Sequence, residues 1–166
     1  MHHDLLRTRN RLLSILVVAV VAGCAVPAPP AEPDPGDQAL PACTPAAENN
    51  VLLGNWLVVR SQKGVAGELR TLLTLQPDGS MAYTEQLKRP GKPSQGLSET
   101  GCWFQEGQVL VMRTQESNGL PVDLDDPIYT NRYPIISADE KMLRLTTPEG
   151  VQVTARQMSP GYRLPF

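Results

Sequence analysis

The sequence predicts an all-β fold: a small eight-stranded antiparallel up-and-down barrel over residues 49–158. Three observations predict it. From about residue 50, short runs of alternating apolar and polar residues recur, which is the period of a half-buried strand. Most of these runs are separated by Gly-, Pro- or Asp-containing turn signals that join neighbours as hairpins. No stretch of 50–157 sustains a 3.6-residue period, so no crossover helix is expected and the strands should follow one another as a meander. Closing that meander removes its exposed edges. A β-sandwich or an open sheet is the alternative.

The strands follow in order. Run 52–61 places Trp56, Val58 and Arg60 on one face and Leu57 and Val59 on the other. In 68–76, Leu69, Thr71, Leu73 and Leu75 alternate with more polar neighbours. Pro77-Asp78-Gly79-Ser80 is a hairpin turn, because Gly tolerates φ > 0 and Asp bonds nearby amides. Run 81–88 puts Met81, Tyr83 and Glu85 on one face, and 89–94 is a loop. Run 96–104 turns at Glu106-Gly107 into 108–114, where Val109 and Val111 lie opposite Leu110 and Met112. Residues 115–127 are the longest break. Run 128–136 contains Pro134, which has no amide to donate and marks an edge, a bulge or an early end. Runs 141–147 and 151–157 complete the set, and residues 159–166 form an irregular tail.

Ahead of the barrel the composition changes. Residues 24–48 are rich in Pro and Ala and read as an extended linker, because proline fixes φ and lacks the amide that sheets and helices need. Residues 1–23 carry Arg7, Arg9 and Arg11 ahead of an apolar run, as an export signal does. The run is too short to cross a bilayer, which takes roughly 20 residues. Val21-Ala22-Gly23-Cys24 has small residues ahead of a cysteine, and the whole segment resembles a bacterial lipoprotein precursor. That resemblance implies cleavage between Gly23 and Cys24 and attachment of lipid, palmitate included, to Cys24. The mature chain would then sit in the cell envelope, and by the same resemblance Ala25 after the cysteine, rather than Asp, implies sorting to the outer membrane, facing the periplasm.

Loss of residues 1–23 would remove three arginines, Asp4 and both histidines, leaving a chain two charges more acidic than its net −2. With no basic patch beyond Lys88-Arg89-Pro90-Gly91-Lys92, which reads as a solvated hairpin tip, nucleic acid is not an expected partner. Without histidine, Ser-His-Asp and Cys-His catalysis and the usual His-containing zinc sites are excluded. No catalytic residue, metal site or cofactor is expected, and the chain reads as a non-enzyme. Glu85, Glu99 and Glu106 would form a hydrolytic pair only by accident of fold. Asp123, Asp125 and Asp126 lack the spacing of a Ca²⁺ loop and read as a solvated loop. Once Cys24 carries lipid, Cys43 and Cys102 remain. In an oxidising compartment they most simply form one disulfide, with two free thiols as the alternative. Closing that loop of about 60 residues is worth roughly 4 kcal/mol.

Three phrases carry a second resemblance, over 50–157. Leu53-Gly54-Asn55-Trp56 resembles the Gly-x-Trp opening of lipocalin-like domains. Leu75-Gln76-Pro77-Asp78-Gly79-Ser80 is similar to a turn of their bacterial members, and Gly101-Cys102-Trp103 with Gly107-Gln108-Val109-Leu110 to their mid-barrel hairpin. The resemblance implies that Gly54 and Trp56 close one end of the barrel, with Arg156 of the last strand over the indole. Arg156 is in register with Gln152 and Thr154, however, while Val151, Val153 and Ala155 look inward. Either that pairing fails or a bulge turns the strand. The family also implies a small apolar or amphipathic ligand, with Leu73, Met81, Tyr83, Val111, Met112 and Tyr129 as candidate lining. The same residues would serve a filled core, since eight short strands enclose little more than their own side chains. The alternative function is a barrel that binds a protein partner, as a protease inhibitor or an envelope assembly accessory.

Overall fold

The computed structural model describes residues 40–61 and 64–165. The expected signal segment 1–23, the expected cleavage between Gly23 and Cys24, the expected lipid attachment at Cys24 and most of the expected linker 24–48 lie outside the described residues. Eight antiparallel strands form a closed barrel: β1 (Gly54–Arg60), β2 (Glu68–Leu75), β3 (Ser80–Lys88), β4 (Gln95–Glu106), β5 (Val109–Ser117), β7 (Thr130–Ala138), β8 (Met142–Thr146) and β9 (Gln152–Met158). A two-residue strand, β6 (Leu120–Pro121), folds back on the end of β5. Each long strand pairs with its sequence neighbour, and β9 returns to pair with β1. Among the described residues the one helical element is a 3-10 turn, Pro127–Tyr129.

Alternation sets the faces. Trp56 and Val58, Leu69, Leu73 and Leu75, Met81, Trp103, Leu110 and Met112, Leu143 and Leu145, and Ala155 are all buried. All but Leu69 belong to one contiguous cluster with Leu52, which lies just ahead of β1. The two indoles fill one end. Trp56 Nε1 donates to the Leu52 carbonyl at 2.7 Å, and Trp103 Nε1 donates to the Gln76 carbonyl at 2.9 Å. Both polar handles are therefore satisfied inside the core. The β2–β3 turn forms as its sequence demands, with Asp78 Oδ1 accepting from the Ser80 amide at 2.8 Å.

Where β4 meets β5 the register slips between Thr100 and Gly101, leaving Gln115 as the extra residue of β5. A Cβ at Gly101 would run into the Arg113 carbonyl oxygen, so this close approach of two backbones requires glycine. Beside it, Cys102 is joined to Cys43. The chain from Pro41 onward is fastened to the barrel: Gln115 Nε2 donates to the Pro41 carbonyl at 2.7 Å, and the Ala46 amide to the Pro77 carbonyl at 2.9 Å. The eight strands of the closed barrel, its core cluster and the disulfide all lie within the described residues.

Several sequence expectations are corrected. β5 runs on to Ser117 and β7 starts at Thr130, so the break between the long strands lies at 118–129 rather than 115–127, and β6 interrupts it. Residues 127–129 are not strand, because Asp126 caps a 3-10 turn through the Ile128 amide and Pro127 suits its first position. Of the edge, bulge and early end expected at Pro134, the early end is excluded, because β7 runs on to Ala138, and a bulge-type irregularity follows directly after it. Pro134 faces Val109 at the last pair with β5, and β7 then pairs with β8 from Ile135 onward, with a register shift between Ile135 and Ser137. A residue without an amide sits where the strand exchanges partners. The expected arginine cover of Trp56 is absent: Ala155 takes the inward position, and Arg156 is exposed on the outer face opposite Leu57 and Met142. No bulge in β9 rotates it inward, so period-two alternation decides against the pairing.

Candidate functional site

The barrel interior divides along its axis. The end holding Trp56 and Trp103 is apolar and filled. Toward the other end the inward positions become polar, with Arg60, Thr71, Glu85, Glu99 and Thr114. Tyr83 Oη donates to Glu85 Oε2 at 2.7 Å, and Thr114 Oγ1 donates to Glu99 Oε2 at 3.3 Å. Burial, then the hydrogen bond and charge of Glu85, push the Tyr83 phenol well above its ordinary range. Burial is also the first cause for Tyr133, followed by the charges of Glu149, Glu99 and Glu85. Both phenols stay protonated at any physiological pH.

The open space here is small. A cavity of about 50 Å³ is lined by Arg60, Thr71, Leu73, Tyr83 and Tyr133 among others. That is the scale of a water molecule, whereas small-molecule pockets span roughly 300–1,000 Å³. The candidate lining residues do not converge on a larger lumen. Leu73, Met81 and Met112 are core members, and Tyr83 packs against them. Val111 is fully buried, but it lies between Leu110 and Met112 on β5 and so faces away from the cluster that contains both. Tyr129 belongs to the 3-10 turn ahead of β7.

Glu99 makes the interior pH-sensitive. Burial raises its carboxyl pKa, the Thr114 hydrogen bond opposes part of that rise, and the Glu85 charge adds to it. The folded state therefore binds this proton more tightly than the unfolded chain. The stabilisation is complete below the unfolded pKa and is lost as pH rises through the folded one. Glu99→Gln keeps an acceptor for Thr114 and removes the charge. Its melting temperature is expected to exceed the wild type's near pH 7.5, with the gain shrinking toward about pH 4. Thermal melts across that range check this. A variant less stable by the same margin at both ends would refute it.

The other acidic groups are used locally. Glu106 pairs with Arg132 on the outside. Asp123 Oδ1 accepts from the Asp125 amide and Asp126 Oδ1 from the Ile128 amide, both at 3.0 Å. Among the described residues no group of three or more His, Cys, Asp or Glu side chains is placed to hold a metal ion.

The large concavity lies outside the barrel. After β9 the tail crosses the outer faces of β1–β3. Asn55 Nδ2 donates to the Ser159 carbonyl at 3.0 Å, and its Oδ1 accepts from Thr74 Oγ1 at 2.8 Å. Farther along, Gln86 Nε2 donates to the Pro165 carbonyl. Leu72 and Gln86, on outward positions of β2 and β3, are 5 % and 1 % exposed, and Leu164 of the tail is 5 % exposed. Between tail and wall runs an open groove of about 1190 Å³. Leu53, Leu72, Ala82, Thr84, Met158 and Tyr162 are among its lining residues.

No family model and no curated protein matches this chain. Among solved structures it is similar to the crystal structure of a lipoprotein YedD from Klebsiella pneumoniae subsp. pneumoniae, at 13 % identity and a TM-score of 0.41. That match covers 75 % of this chain and 81 % of the other. A likeness this loose transfers neither function nor address.

Sequence reasoning missed the groove. One signal for it was present: Leu72 breaks the alternation of β2 by placing a leucine on the outward face, and the tail carries Tyr162 and Leu164, which can cover it.

Proposed function

We propose that the chain is a bacterial envelope lipoprotein, anchored by lipid on Cys24 and facing the periplasm from the outer membrane. Its barrel binds a small amphipathic molecule and catalyses no reaction. The contrast between a filled lumen and an outer groove of about 1190 Å³ carries the ligand reading. On this reading the ligand lies on the wall beneath the tail rather than in the barrel interior. The Val21-Ala22-Gly23-Cys24 motif carries the anchor, and a disulfide between Cys43 and Cys102 suits an oxidising compartment. Because two or more acyl chains give a stable anchor, the soluble barrel would work at the membrane surface.

Native mass spectrometry of oxidised residues 25–166, exposed to an envelope lipid extract, tests the ligand. The expected result is one small molecule retained by the wild type and lost from Ala82→Trp, which fills the groove. An apo mass at every lipid concentration would sink the ligand reading. The intact mass of the full chain expressed in bacteria tests the anchor: it should fit residues 24–166 plus acyl groups, and an unmodified mass would refute it. A second reading, a protein partner in the envelope, is favoured by Leu120 and Ile128, each 70 % exposed. Crosslinking in the envelope would separate that reading from the first.

A further inference from the structure

The groove beneath the tail is one-sided in charge. Among the described residues that line it, Arg163 alone carries a formal charge, and no Asp or Glu lines it, although the chain has 17 acidic residues. The remaining lining divides between apolar side chains, such as Leu53, Leu72, Ala82 and Met158, and neutral polar ones, such as Thr74 and Thr84. Arg163 is exposed, one residue before the buried Leu164, so the tail pins an apolar anchor and leaves a guanidinium at the rim.

We propose that this groove takes a single-chain anionic amphiphile: one acyl chain ending in a carboxylate or a phosphate. The inference rests on the reading that the groove binds an amphiphile, and it names the headgroup. The acyl chain lies against Leu53, Leu72, Ala82 and Met158, where burying methylenes supplies most of the affinity. The headgroup meets Arg163, whose planar fork matches either oxyanion. Among the described lining residues a cationic headgroup finds no counter-charge. The lumen cannot take the chain, since its open space is about 50 Å³.

Calorimetric titration of residues 25–166 at low salt tests this with four probes below their micellar concentrations. These are dodecanoate, lauroyl-lysophosphatidylglycerol, dodecanol and dodecylammonium. At least one of the two anions is expected to bind once per chain and more tightly than dodecylammonium, and comparing the two distinguishes a carboxylate from a phosphate source. Arg163→Glu should weaken the bound anion roughly tenfold, less at high salt, and leave dodecanol unchanged. Equal affinity for dodecanoate, lauroyl-lysophosphatidylglycerol and dodecylammonium, or no effect of Arg163→Glu, overturns the anionic headgroup. If dodecanol then still binds the wild type and not Ala82→Trp, the groove reading survives that failure. If no probe binds, or if Ala82→Trp binds them all as the wild type does, both readings fall. Far-UV circular dichroism and a cooperative thermal melt of each variant, neither of which depends on the added indole of Ala82→Trp, check that the barrel is intact.

Discussion

Trp56→Ala is expected to lower the stability of the barrel by about 3–5 kcal/mol, the range for emptying a large buried aromatic site. The side chain is fully buried, and its indole nitrogen is satisfied by the Leu52 carbonyl at 2.7 Å. The loss has two parts: a cavity in the filled end of the barrel, and a buried carbonyl left without its donor. Trp56→Phe keeps most of the volume and removes the donor, so it should fall between the wild type and alanine. Domains of this size are stable by only about 5–15 kcal/mol, so the alanine variant should be substantially unfolded in mild denaturant. The chain has two tryptophans, so Trp103 remains as the fluorescent reporter of unfolding. A loss below about 1 kcal/mol would mean that the end of the barrel can collapse around the gap, contrary to the close packing described above.

Breaking the Cys43–Cys102 bridge ranks second. The two residues are 59 apart, and opening a loop of that size releases unfolded-state entropy worth roughly 4 kcal/mol in the chain-entropy account. The bridge also ties the segment around Pro41 and Ala46 to the barrel wall, so its loss should free that segment. The double variant Cys43→Ser/Cys102→Ser is expected to melt well below the oxidised wild type and to match the wild type melted with a reductant. It should also exchange its Ala46 amide hydrogen faster. Equal melting temperatures in all three samples would show that the hydrogen bonds to Pro41 and Pro77 hold the segment without help.

Much of the strand order was legible because it depends on local chemistry. Period-two alternation located every strand of the barrel within a few residues, and Pro77-Asp78-Gly79-Ser80 closed its hairpin as its residue types require. The errors fall where neighbours in space, rather than in sequence, decide. Val111 and Met112 were both expected to line a site, yet adjacent residues on one strand face opposite ways, and only packing chooses which is inside. Alternation along one strand leaves Arg156 between two outcomes for the same reason, and the uninterrupted pairing of β9 resolves it. Pro134 marks an exchange of strand partners, which no single strand can display.

The sequence by itself determined the eight alternating runs, the proline-rich stretch ahead of them, the cysteine count and the absence of histidine beyond residue 3. These follow from residue types and their spacing along one chain. Only the tertiary structure decided that the lumen is filled and that the large concavity lies on the wall. The filling depends on the combined volume of side chains from eight strands. The groove depends on where an irregular tail, with no periodicity to read, comes to rest: on Asn55, Leu72 and Gln86, residues far from it in sequence.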